Sequence, residues 1–149
     1  ASDVYKRQEL YAAVGVHSGL PFASAHDLPS ALAAMNGDFR RRQQPGRSIP
    51  IIVFHGDQDK TVHPANGDEL VAPARDSAEA MAVEPGRVPN GHAYTRTTHK
   101  RADGRVHAEH WLIHGAGHAW SGGSAHGSYT DGRGPDASRE MMRFFRTQK

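Results

Sequence analysis

The stretch IPIIVFHGDQDKTVHP, Ile49 to Pro64, decides the fold. Its first half is an almost unbroken apolar run, which predicts a strand over Ile49–Gly56 whose residues are apolar on both faces of the pleat. Such a strand must be covered from both sides, which is the situation of a parallel strand between two helical layers. The second half turns abruptly polar and carries Asp57, Asp59, His55 and His63. Loops that leave the C-terminal ends of parallel strands are where α/β proteins build their sites.

The flanking sequence fits that reading. Upstream, YAAVGVHSG (Tyr11 to Gly19) predicts a second short buried strand. LPSALAAMNG (Leu28 to Gly37) predicts a short helix, capped by Ser30 and ended by Asn36-Gly37. A polar loop follows, Asp38 to Ser48. Downstream, a helix is expected from near Asn66 to about Met81, kinked or broken at Pro73. HAYTRTTHKRADGRVHAEHWLIHG reads as a hairpin turning at Asp103-Gly104. In its second strand His110, Leu112 and His114 share one face, and Trp111 and Ile113 the other. GPDASREMMRFFRTQ predicts a closing amphipathic helix, with Pro135 and Asp136 in its first turn and Met141, Met142 and Phe145 as its apolar stripe. The order of strands and helices predicts an α/β fold: a mostly parallel sheet with helices on its faces and one added hairpin strand.

Composition narrows the function classes. The 149 residues are enough for one domain with its own core, and the formal charge is only +2. FRRRQQPGR (Phe39 to Arg47) is the densest basic run. No aromatic residues interleave with Arg40 to Arg42, so it reads as a solvated loop and no nucleic-acid partner is expected. No apolar run approaches the roughly 18–20 residues of a membrane helix, and no membrane partner is expected. The absence of cysteine excludes disulfides, thiolate metal sites and a cysteine nucleophile. Eleven histidines raise the alternative of a metal-binding protein. Trp111 after His110 breaks an H-E-x-x-H pattern, and on a strand His110 and His114 stand about 13 Å apart at about 3.3 Å per residue. No metal is therefore assigned, nor any other cofactor.

A second loop, IHGAGHAWSGG (Ile113 to Gly123), sets His118 among small residues after an apolar strand. That setting suits a catalytic base, oriented by a carboxylate from the first loop, Asp57 or Asp59. The nucleophile of such a site normally sits in a G-x-S-x-G elbow. Ser18 has Val16 and Leu20 at the glycine positions, Ser121 has Ala119 before it, and Ser124 has His126 after it. None fits.

HGDQDKTVHP resembles the acid loop of α/β-hydrolases, HGxxDxxVP. GAGHAWSGG with SYTDGRGPDASREMMRFF is similar to the C-terminal end of the polyhydroxybutyrate-depolymerase-like esterase family, and AAVGVHSGLP to the strand after that family's nucleophile helix. The resemblance covers roughly residues 9 to 146. It implies the C-terminal part of a single α/β-hydrolase domain over residues 9–149, with residues 1–8 read as a leader or junction. By position it makes Asp59 the triad acid, His118 the base and Trp120 a residue of the substrate cleft, with ordinary packing as the alternative for Trp120. The nucleophile elbow is then expected before residue 9. The implied activity is hydrolysis of polyhydroxyalkanoates or related short-acyl esters by a serine esterase, with plant cell-wall esters also within the family's range. An extracellular location is implied by the family. The chain by itself is expected to be inactive, and to self-associate through an exposed sheet edge. A non-catalytic binding module or degenerate hydrolase is the alternative class.

Overall fold

The structure is a computed structural model, which describes residues 13–18, 49–124 and 126–148. The helix expected at Leu28–Gly37 and the basic run at Phe39–Arg47 lie outside the described residues. The elements in chain order are strands β1 (Val14–His17) and β2 (Ile51–Gly56), helix α1 (Ala65–Asp76), strands β3 (Ala80–Arg87), β4 (Ala93–Lys100) and β5 (Val106–Ile113), two-residue strands β6 (Trp120–Ser121) and β7 (Thr130–Asp131), and helix α2 (Ala137–Thr147). The first five strands form one sheet in the order β1-β2-β5-β4-β3, and β6 pairs with β7 in a separate ribbon.

Strand β2 lies inside this sheet and is buried along its whole length. It runs parallel to β1 on one side and to β5 on the other. Its side chains alternate between two cores. Ile52 and Phe54 join Trp111, Ile113, Ala137, Met141 and Phe144 beneath α2. Ile51 and Val53 join Val16, Ala108, Val71 and Ala74 beneath α1. A strand covered by a helix on each face needs apolar side chains at odd and even positions alike, which is why its sequence reads as an unbroken run. Phe54 stacks between His17 and Trp111, at centroid distances of 5.9 and 5.2 Å.

The sheet is mixed, which corrects the mostly parallel sheet expected from the sequence. The two parallel pairings are matched by two antiparallel ones, β5 with β4 and β4 with β3. The difference comes from residues 80–87, the first two of which fall in the stretch expected to extend the helix to Met81. The helix instead ends at Asp76, where Ser77 turns its hydroxyl back onto the Pro73 and Ala74 carbonyls. Residues 80–87 pair with β4 from Ala80↔Lys100 to Arg87↔Ala93. As an edge strand β3 tolerates Pro85, whose missing N–H breaks no interior ladder. The hairpin between β4 and β5 turns at Asp103-Gly104 as expected, with Gly104 at φ +80° and Asp103 Oδ1 accepting from the Arg105 N–H. Among the described residues β1 borders only β2, and β3 borders only β4.

Helix α2 starts at Asp136, whose side chain caps the Arg139 N–H. Its buried stripe is Ala137, Met141 and Phe144, with Phe145 packed at the margin. The expected stripe included Met142, but Met142 is turned outward and 51% exposed. The stripe follows the i, i+4, i+7 spacing that one helix face requires, and position 142 falls about 100° off it. Phe144→Ala should therefore lower stability by about 3–5 kcal/mol, and Met142→Ala by no more than about 0.5 kcal/mol. Urea denaturation of the two variants measures the contrast.

Candidate active site

The parallel strands β1, β2 and β5 end side by side at one end of the sheet. The loop after β2 carries Asp57 and Asp59, and the loop after β5 carries His114 and His118. The two loops cross closely at Gly56, where a Cβ would sit 2.3 Å from the Ala116 carbonyl oxygen. Only glycine permits that approach.

Asp59 is buried, and its side chain has no exposed surface. Its Oδ1 accepts the backbone N–H groups of Thr61 and Val62, both at 2.9 Å. Its Oδ2 lies 2.8 Å from His118 Nδ1. A carboxylate can only accept, so in the neutral ring Nδ1 carries the imidazole proton and Nε2 keeps a free lone pair. The His118 side chain is 36% exposed, so solvent reaches it. His55, at the end of β2, donates from Nε2 to the Val62 carbonyl at 2.7 Å and lies 3.4 Å from Asp59 Oδ2. It thereby holds the turn whose N–H groups grip Asp59. The sequence placed His55 beside the acid loop but gave it no role.

Asp57 does not compete for His118. It pairs with His114 Nδ1 at 3.0 Å, and its Oδ1 accepts the Gly115 N–H at 2.8 Å. Burial acts to raise the Asp57 pKa, but these two hydrogen bonds and the neighbouring His114 charge outweigh it and hold the carboxyl below its usual range.

His17, at the end of β1, is a site residue the sequence reading missed. Its ring stacks under Trp120 at 4.8 Å and over Phe54. Its Nε2 accepts the Ser121 N–H at 2.9 Å, and its Nδ1 lies 2.8 Å from Ser18 Oγ. Burial lowers its pKa to about 4, helped by the nearby His55 and His118 and opposed by Asp59. The neutral ring thus carries the loop that follows His118. The one available signal was its position at the C-terminal end of a buried strand. Ser18 itself adopts a left-handed backbone, φ +52°.

Trp120 is 38% exposed, with one face on His17 and its indole N–H directed to Ser138 Oγ at 3.2 Å. The clustered histidines diverge. His107 meets Arg101, His110 meets Asp68, His114 meets Asp57, and His118 meets Asp59. Among the described residues no group of three or more His, Asp or Glu is placed to hold a metal ion. No helix among the described residues is long and apolar enough to cross a membrane.

Comparison with models of protein families and with curated protein sequences finds no match.

The buried histidines predict an acid-sensitive fold. His17 and His107 are both pushed down to about 4, burial being the largest cause in each. Between pH 6.5 and 4 the unfolded chain binds protons that the folded chain refuses, so stability falls as pH drops through that window. His17 alone accounts for a loss of up to about 3 kcal/mol. His17→Phe removes this titration but strands the Ser121 N–H. Its stability should be lower at pH 7.5 and its decline from pH 6.5 to 4 shallower, as read by urea midpoints across pH.

Proposed function

We propose that this chain carries the acid and base of a serine-type carboxylic ester hydrolase, built as the C-terminal part of an α/β-hydrolase of the polyhydroxybutyrate-depolymerase-like class. The observation that carries the reading is the 2.8 Å contact between fully buried Asp59 and part-exposed His118. In this reading Asp59 fixes the imidazole tautomer and stabilises the imidazolium that forms during turnover. His118 Nε2 takes the proton of a serine supplied by sequence before residue 9. The serine oxygen attacks the ester carbonyl, and His118 returns the proton to the leaving alcohol. Water deprotonated by His118 then releases the acid from the acyl-enzyme. Trp120, half-open beside the base, offers an apolar wall to short acyl chains. Polyhydroxyalkanoates and related short-acyl esters are the substrates of this reading, and an extracellular location goes with it.

The test compares the chain with a version extended upstream through a G-x-S-x-G elbow, using p-nitrophenyl butyrate. The chain alone should show no sustained turnover of the ester above the buffer rate. The extended protein should turn over, and Asp59→Asn should lower its kcat by about 10⁴-fold, the effect of holding the wrong tautomer. An extended, folded protein without turnover would reject the reading in favour of a binding module that keeps the acid and base without using them. Turnover indifferent to Asp59→Asn would reject the assigned residues.

A further inference from the structure

Two contacts between an imidazole and a hydroxyl among the described residues have opposite polarity. At His17, Nε2 accepts the Ser121 N–H, so Nδ1 must carry the proton and donate it to Ser18 Oγ. That imidazole cannot deprotonate the serine it touches. At His114 the order is reversed. Asp57 Oδ2 lies 3.0 Å from Nδ1, and a carboxylate can only accept, so in the neutral imidazole the proton is on Nδ1 and Nε2 is bare. Thr95 Oγ1 lies 2.8 Å from Nε2 and is the donor to that neutral ring. A hydroxyl donating to an imidazole whose far nitrogen is held by a carboxylate is the arrangement that activates a nucleophile.

The three residues come from separate elements, which fixes their geometry. Thr95 sits in β4, opposite Leu112 of β5. His114 lies just past β5, held by its N–H on the Ala93 carbonyl at 2.8 Å. Asp57 is held by the Gly115 N–H. The group is also open to reagents, since the His114 and Asp57 side chains are 41% and 29% exposed. We propose that Thr95, His114 and Asp57 form a second acyl-transfer site, distinct from Asp59 and His118, with the Thr95 hydroxyl as nucleophile and small activated carboxylic esters as substrates. The step balances without a further reactant. Thr95 Oγ1 bonds to the carbonyl carbon while its proton passes to His114 Nε2. The ester C–O bond then breaks, and the leaving oxygen takes that proton. The products are an O-acyl threonine and the free alcohol. This site does not depend on the hydrolase reading.

The test is to treat the full chain with p-nitrophenyl acetate near pH 8 and locate acetyl groups by peptide mass spectrometry. Thr95 should be acetylated about 100-fold faster than Thr97 and Thr98 of the same strand, the lower range of general-base assistance. His114→Gln should remove that advantage, Thr95→Val should abolish the label, and Thr95→Ser should keep it at the same position. The comparison with Thr97 and Thr98 uses the unmodified chain, so it stands even where a variant fails to fold. Labelling of Thr95 no faster than of its neighbours, or unchanged in a folded His114→Gln variant, would overturn the proposal and leave the contact as a tie between β4 and the loop.

Discussion

A carboxylate with no exposed surface is the constraint on which the rest of the site depends. Removing an ionised group from water costs several kcal/mol unless donors replace the lost hydration. Asp59 receives three: two backbone N–H groups on one oxygen and the His118 imidazole on the other. Meeting that demand dictates the local chain path. Residues 59–62 must turn back on themselves, and His55 fixes the turn through the Val62 carbonyl. The loop after β5 must come within hydrogen-bond reach, which Gly56 allows by having no side chain to strike Ala116. The parallel register of β2 and β5 sets the two loops side by side to begin with.

A second layer holds the base loop from below. His17 receives the Ser121 N–H and supports the Trp120 ring, while Ser121 Oγ donates to the Pro135 carbonyl at 2.6 Å just before α2. Strand β1, the base loop and the start of α2 are thus tied through two adjacent residues, Trp120 and Ser121. Farther along the same α2-covered face, Glu109 is buried but bonded to the Trp111 indole and to Arg143 of α2, so there too a charge is buried with its partner. Burying charge only with its partner is the rule that Asp59 and Glu109 share.

The parts that were legible in the sequence are those set by local chemistry. Strand β2 announced itself because both of its faces are covered, and the β4–β5 turn because Asp103-Gly104 suits few other conformations. The loops bearing Asp59 and His118 could be named because they follow apolar strands and resemble a known family's motifs. What was not legible depends on distant partners. The segment AMAVEPGR is mostly exposed, holds a proline and follows directly on a helical pattern, so only its pairing with β4 makes it a strand. Met142 is as apolar as Met141, and the choice between them is made by the direction from which the sheet meets α2. His17 owes its role to Ser121, 104 residues away.

The central claim is that Asp59 fixes His118 as a base with its proton on Nδ1 and a bare Nε2. The most direct measurement is the long-range ¹H–¹⁵N spectrum of the histidine rings at neutral pH, with His118 assigned by substitution. The account predicts the Nδ1–H tautomer for neutral His118 and its loss in Asp59→Asn. An Nε2–H tautomer in the unmodified chain, or a spectrum that Asp59→Asn leaves unchanged, would contradict it.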